Sequence, residues 1–373
     1  VKIGFDAKRA LNNSSGLGNY ARNLLNALMQ EYPEHEYLLF SPKAKDEYFN
    51  QLNGELKMML PETRFQKSFH AAWRSFGIKS QLIKNRVELY HGLSNEIPFG
   101  ITSTGIASVV TIHDLIFLKH TDQYPFIDRQ IYKLKTQYAA KQADKIVAVS
   151  NQTKQDLVEI YGVAERKVEV IYPIIDSLFE NQEPGTKSKE VIPEYGLPAK
   201  YVLNVGSFFA RKNQATLVEA FDRIKNQIEE DLVLVGGDGN MLTEIKALIE
   251  KKGIEKRVHI ITNAVNEELP IIYRRASAFV YPSLFEGFGM PIVEALFSKT
   301  PVVTTRGGCF EEAGGKSALY VNPISAAEIS AAILRVLSDE KLKAEMITTG
   351  LVHAQTMSAK SIAQKMIVLY KSI

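Results

Sequence analysis

The sequence lacks the residues that would place it in several common classes. One cysteine, Cys309, in 373 residues excludes an intramolecular disulfide framework and points to a reducing compartment. No Asp-x-Asp occurs, and no second His, Cys or Asp stands at metal-ligand spacing from His113, so no divalent metal held by protein side chains is expected. No apolar run approaches the roughly 20 residues that span a bilayer, and no signal-type segment precedes Val1-Lys2-Ile3-Gly4-Phe5. The expected location is therefore cytoplasmic, at most peripheral at the inner face of a membrane. A formal charge of +3 is too small to argue for nucleic acid. Short-period repeats and low-complexity segments are also missing.

What is present describes an ordinary globular chain, 45% hydrophobic and 23% charged, long enough for two domains. Apolar strand candidates recur at 1–5, 37–40, 57–60, 88–91, 108–112, 145–149 and 168–172, with helical patterns between most of them. The pattern lapses around Pro173, Pro184, Gly185, Lys187-Ser188-Lys189, Pro193 and Pro198, which read as a connector. A second series follows at 201–205, 232–235, 258–261, 278–281, 302–304 and 318–321. A last helix, 361–372, ends the chain with no strand after it. Strand–helix alternation implies parallel sheets covered on both faces, hence two doubly wound α/β domains. Ligands of such sheets bind outside the carboxyl ends of the strands, which places the working site in a crevice between the domains.

Four stretches lie at such ends. Gly16-Leu17-Gly18-Asn19-Tyr20-Ala21 fits G-x-G-x-x-A, but it stands about ten residues after the first strand and no acid ends the second, which argues against NAD. Two glycines opening a helix suit close approach to a phosphate or sugar, or simply make a flexible loop and cap. His113-Asp114 closes the strand 108–112, as a crevice residue or as a hydrogen-bonded structural histidine. Gly206-Ser207-Phe208-Phe209-Ala210-Arg211-Lys212-Asn213 puts two cations just before a helix for which Asn213 is a good N-cap; such a pair backed by a helix dipole suits a diphosphate. Tyr281 to Leu296 runs from a buried strand through Glu286, Gly287, Phe288, Gly289 and Met290 into a helix with Pro291 in its first turn and Glu294 one turn inside. Its loop N–H groups, from Phe288, Gly289 and Met290, suit oxygens or anions.

A fifth stretch has no acid from Thr63 to Val87, yet holds Arg64, Lys67, Arg74, Lys79, Lys84 and Arg86 interleaved with Phe65, Phe69, Trp73, Phe76 and Ile78. It reads as a basic, aromatic surface for an anionic membrane or lipid-linked partner across 64–86, or as a core-packed helix with solvated cations.

In combination these motifs resemble the family-four, retaining, GT-B-fold glycosyltransferases, including the mannosyltransferase-like group 1 enzymes of bacteria. The resemblance rests on Tyr281-Pro282-Ser283, on Glu286 and Glu294 as the E-x7-E pair, on Thr111-Ile112-His113-Asp114-Leu115, on Gly206 to Asn213 and on the Gly16 loop. It spans nearly the whole chain. Thr262-Asn263-Ala264 and Phe310 depart from the pattern, where many relatives carry glycine and proline. The resemblance implies two Rossmann-like domains: 1–180 on the acceptor side, 199–357 for the nucleotide-sugar donor, and 358–373 as a helix crossing back. It implies Glu286, Phe288, Gly289 and Met290 at the donor sugar, Glu294 at the ribose, and Arg211 and Lys212 on the diphosphate beside Gly206 and Ser207. His113 would sit near the reacting sugar, and Gly16 and Gly18 would approach the diphosphate or acceptor.

The implied activity is metal-independent, retaining transfer of a hexosyl group, with a lean towards mannosyl. The donor would be a GDP- or UDP-linked sugar, used as a substrate with no cofactor. The acceptor would be a hydroxyl of a glycan or glycolipid in cell-surface polysaccharide synthesis. A GT-B epimerase or hydrolase, or a non-catalytic nucleotide-sugar-binding subunit, is the alternative.

Overall fold

The computed structural model describes residues 1–120, 125–180 and 194–373, with Phe65 described by its backbone alone. The connector residues Pro184, Gly185, Lys187 to Lys189 and Pro193 lie outside the described residues. The chain divides into two compact units, Val1–Asp176 with Met357–Ile373, and Ser177–Thr356.

Unit 1 is built on seven parallel strands: β1 (Lys2–Asp6), β2 (Glu36–Phe40), β3 (Leu56–Met59), β4 (Leu89–Gly92), β5 (Ala107–Ile112), β6 (Lys145–Ala148) and β7 (Val168–Val170). Their order is β3-β2-β1-β4-β5-β6-β7. The direction of winding reverses between β1 and β4, so the loops after Asp6 and Gly92 open side by side at the switch point where such sheets bind ligands. After β1 come a short helix α1 (Lys8–Asn12) and then α2 (Gly16–Glu31). Leu24, Leu25 and Leu28 fall on the apolar stripe of α2 and are fully buried. The glycine stretch is not a loop ahead of that helix but its first turn, because Gly18 and Asn19 donate to the Ser15 carbonyl at 2.8 and 3.1 Å. A helix α3 (Phe126–Gln142) lies between β5 and β6.

Unit 2 has six parallel strands: β8 (Tyr201–Val205), β9 (Asp231–Val235), β10 (Val258–Ile261), β11 (Ala278–Tyr281), β12 (Val302–Thr305) and β13 (Ala318–Val321), in the order β10-β9-β8-β11-β12-β13. Its switch point lies between β8 and β11, which sets the loops 206–213 and 282–289 beside each other. Helices α4 (Gln214–Ile224) and α5 (Met290–Phe297) continue from those loops.

The last helix, α6 (Ala359–Tyr370), belongs to unit 1 and packs against α2. Ile362, Met366 and Leu369 enter the same apolar cluster as Leu24 and Leu28. Its Tyr370 hydroxyl meets Nδ1 of the buried His91 on β4 at 2.6 Å.

The basic stretch divides on folding. Trp73, Ile78 and Leu82 are core residues, whereas Phe69 and Phe76 are 55% and 60% exposed. Arg74 does not face solvent or a membrane: it is buried, with Nε 3.1 and 3.0 Å from the two oxygens of Asp6 and a further ion pair to Glu96. Lys135 of α3 completes the network at 2.8 Å from Glu96. An uncompensated guanidinium could not be buried here; the two acids, remote in sequence, supply the compensation. Among the described residues no helix is long and apolar enough to cross a membrane.

Candidate active site

In unit 2, Glu286 is the hub. Its Oε1 accepts from Lys212 Nζ at 2.5 Å, Ser283 Oγ at 2.7 Å and the Tyr281 hydroxyl at 2.8 Å, with Arg211 Nη1 at 2.6 Å. Burial alone would raise its pKa, but the Lys212 and Arg211 cations outweigh burial and hold it down at about 2. The same carboxylate helps burial keep the Tyr281 phenol protonated, so it remains a donor. Burial lowers the pKa of Lys212, Glu286 opposes that, and Arg211 adds to it.

Glu286 and the cation pair, to which the resemblance gives different tasks, thus share one cluster of two cations and one carboxylate. The cluster is assembled by the loops at the β8/β11 switch point. The Arg211 carbonyl takes the Leu284 N–H at 2.7 Å and the Ser283 hydroxyl at 3.0 Å. Gly206 N–H donates to Val235 O at 2.8 Å and Phe208 N–H to Gly237 O at 3.4 Å, so the loop after β9 carries the Gly206-Ser207 turn.

Asn213 is not a side-chain N-cap. It takes a left-handed conformation, φ 58°, and its amide donates to Pro282 O at 3.1 Å and Pro323 O at 2.7 Å. A short polar side chain tolerates that backbone, and here it ties the two site loops together.

Gly289 precedes α5 with φ 112°, a conformation that L side chains rarely adopt. Among the described residues no acceptor pairs with the N–H of Gly289 or Met290, which leaves two donors at a helix start. Phe288 is buried, and Glu294, inside α5, accepts the Tyr273 hydroxyl at 2.8 Å. The two glutamates therefore have different hydrogen-bond partners. Phe310, at the departure from the family pattern, is buried with its ring edge-on to Tyr281, and the neighbouring Cys309 thiol donates to the Glu286 carbonyl at 3.3 Å. Among the described residues no three His, Cys, Asp or Glu side chains are grouped to hold a metal ion.

In unit 1, His113 lines a cavity of about 180 Å³ at the β1/β4 switch point, with Arg9, Leu17, Ser94, Asn95 and Tyr132 among its neighbours. Its Nε2 donates to Leu93 O at 2.9 Å, which leaves Nδ1 as an acceptor. The Tyr20 ring stands edge-on to the imidazole with centroids 4.7 Å apart, and the Tyr20 hydroxyl meets Thr111 Oγ1 at 3.0 Å. Gly16 has open space at its α-carbon, but a Cβ on Gly18 would lie 1.9 Å from the Asn13 carbonyl oxygen. Gly18 is there to let α2 pack on the preceding turn, a role that spacing did not reveal.

Burial pushes His113 down to about 4, the Leu93 carbonyl opposing and Arg9 assisting; burial takes His91 to about 3, with His113 adding to it. Both imidazoles are neutral at pH 7. Because both folded values are depressed, the unfolded chain binds protons that the native chain does not as pH falls below about 6.5. Their stability contribution is whole above about pH 6.5. It is lost as pH falls through about 4 for His113 and about 3 for His91. Denaturation midpoints of unit 1 are expected to fall between pH 7 and 4, and to fall less in His91→Gln. Midpoints that stay flat across that range in the unsubstituted chain would contradict this assignment.

Comparison with known proteins agrees with the geometry. The family model for glycosyl transferases group 1 matches residues 188–352, and that for glycosyltransferase family 4 matches 14–177. The chain is 26% identical over 287 residues to O-antigen chain mannosyltransferase B of Escherichia coli, covering 76% of this chain and 74% of that one. It is 28% identical over 216 residues to O-antigen chain mannosyltransferase RfbU of Salmonella typhimurium, covering 57% and 56%; the match therefore spans little more than half of that relative. Among solved structures, a glycosyltransferase from Rickettsia africae superposes with TM-score 0.77 at 19% identity, over 100% of this chain and 98% of that one. Anabaena Alr3699/HepE in complex with UDP and glucose superposes with TM-score 0.75 at 17% identity over all of both chains. The fold and the paired family matches define a GT-B glycosyltransferase. Within that class the chain belongs with the group 1 and family-four glycosyltransferases, and bacterial mannosyltransferases are among its relatives.

Proposed function

We propose that this chain transfers a hexosyl group, mannosyl by preference, from a nucleoside-diphosphate sugar to a hydroxyl of a glycan or glycolipid in cell-surface polysaccharide synthesis. Transfer proceeds with retention and without a metal or cofactor. The observation that carries this reading is the Glu286 anion held between Lys212 and Arg211, on the loop that ends in the unpaired N–H groups of Gly289 and Met290.

Breaking a sugar–phosphate bond leaves negative charge on the diphosphate and positive charge on the sugar. The surplus cation of the Arg211–Lys212 pair and the helix-start N–H groups stabilise the first, and Glu286 stabilises the second. Glu294 holds the ribose. Neutral His113 accepts a hydrogen bond from a sugar hydroxyl through Nδ1 and adds no charge. The exposed Arg64, Lys67, Phe69 and Phe76 give unit 1 a basic, aromatic surface suited to peripheral contact with an anionic membrane.

The test is a thermal-stability screen of nucleoside diphosphates, followed by product analysis with and without acceptor. One base, GDP on the mannosyl reading, is expected to stabilise the chain, by about 2.7 kcal/mol at a hundred times its dissociation constant. Transfer should persist in EDTA and give a product of unchanged anomeric configuration. Stabilisation by no nucleotide would end the proposal. Release of free sugar at the same rate without acceptor would make the chain a hydrolase. Sedimentation with anionic vesicles that is unchanged in Arg64→Ala/Lys67→Ala would remove the membrane surface.

A further inference from the structure

The unit 1 cavity contains hydrogen-bond donors that the fold does not use. Arg9, in the last turn of α1, lines it together with Ser94 and Asn95 from the loop after β4. Among the described residues the Arg9 guanidinium has neither a carboxylate within ion-pair distance nor a hydrogen-bond acceptor, and the Ser94 hydroxyl and Asn95 amide nitrogen have no acceptor either. Asn95 is fixed by its other atoms: Oδ1 takes the His113 N–H at 2.9 Å and its own N–H donates to Thr111 O at 2.9 Å. Ser94 is 9% exposed.

The nearby cations are otherwise engaged. Arg74 pairs with Asp6 and Glu96, and Lys135 pairs with Glu96 at 2.8 Å. Asp114 accepts the Ile116 N–H at 3.1 Å. Two cations, Arg9 and Lys135, and two carboxylates, Glu96 and Asp114, line the cavity, and of the two cations Arg9 is the one without an ion pair among the described residues. A guanidinium presents paired N–H groups that match the oxygens of a phosphoryl or carboxyl group. The cavity is smaller than the roughly 300–1,000 Å³ of drug-sized sites, a size for one sugar ring or its charged substituent.

We propose that Arg9, the Ser94 hydroxyl and the Asn95 amide form an oxyanion subsite, so that the ligand of this cavity carries a phosphoryl or carboxyl group. The subsite rests on the transferase reading for its purpose, but not for its existence. The oxyanion belongs either to a charged acceptor or to the donor diphosphate.

The experiment uses the full chain with Arg211→Ala/Lys212→Ala, which strips the unit 2 cations. The His113 imidazole resonance is followed while inorganic phosphate, mannose 6-phosphate or mannose is added. Phosphate and mannose 6-phosphate are expected to shift it, with mannose at least tenfold weaker. Arg9→Gln should weaken both phosphates at least tenfold, and Arg9→Lys should restore part of the loss. Equal binding with and without Arg9→Gln, or mannose matching mannose 6-phosphate, overturns the subsite. With the unit 2 cations intact, a tenfold loss of UDP or GDP binding in Arg9→Gln assigns the oxyanion to the donor. A loss confined to mannose 6-phosphate assigns it to the acceptor. A chain that never transfers sugar would still show Arg9-dependent phosphate binding, so the two readings fail separately.

Discussion

Lys212→Ala is expected to lower kcat/KM for sugar transfer about a hundredfold or more. Its ammonium is buried, 2.5 Å from Glu286 Oε1 and 2.6 Å from the Tyr281 hydroxyl. Removing it leaves Glu286 with Arg211, whose side chain is 25% exposed and therefore partly screened by water. Two effects then combine. The diphosphate loses the surplus positive charge, and the carboxylate loses its strongest reason to stay ionised. A single preorganised charge-stabilising donor is worth roughly 2.7–4 kcal/mol of activation free energy in other enzymes, or about 10²–10³ in rate. Glu286→Gln should fall in the same range. The double variant should fall much less than the product of the two, because each substitution disables the same cluster. Steady-state kinetics with the donor found by the nucleotide screen make the measurement. A Lys212→Ala rate within threefold of the unsubstituted chain would remove the cluster from the mechanism.

Arg74→Met should destabilise unit 1 by about 3–5 kcal/mol, the usual cost of taking one partner from a buried ion pair. Asp6 is 2% exposed, so its charge would stay buried without its guanidinium. The larger part of the loss is that stranded charge, not the net worth of the bond. Asp6→Asn/Arg74→Met should therefore recover stability relative to Arg74→Met alone. Urea titration of the three chains measures this, and a loss below about 1 kcal/mol in the single variant would contradict the burial of the pair. A functional loss should accompany it, because Arg74 also fixes Glu96, a wall of the His113 cavity.

These two sites differ in how far the sequence revealed them. The β11-to-α5 stretch is local: an apolar strand, a proline break, two glycines and a helix with proline in its first turn give its shape directly. The partners of Glu286 are 74 residues away on another loop, and only the combined motifs suggested that they belong to one site. Tyr281 and Ser283 stand in the same motif, and although a hydroxyl three residues before a carboxylate is within turn distance, the motif alone does not show that both hydroxyls donate to Glu286. Arg74 differs from its expected place for a related reason. In an acid-free stretch its charge looked solvated, because its partners come from the end of β1 and the loop after β4. Charge pairing across a parallel sheet has no signature in local composition. Helix starts were blurred where glycine is usually a breaker: Gly16 begins α2, and Asn213 shapes a turn without capping α4. Strands survived best, since a strand buried on both faces needs an unbroken apolar run.

The packing of α6 on α2 also sets an order of events at the ribosome. Unit 1 begins to emerge before unit 2 and is completed after it, because the side chains of Ile362, Met366 and Tyr370 are part of its interior. All of unit 2, Ser177–Thr356, is synthesised in between, which at about 5–20 residues per second takes on the order of 10–40 s. Through that interval the apolar face of α2 waits uncovered and His91 lacks the Tyr370 hydroxyl, while unit 2, continuous in sequence, has everything it needs to fold. The unit whose synthesis starts before the other's is the unit that depends on a helix made after it.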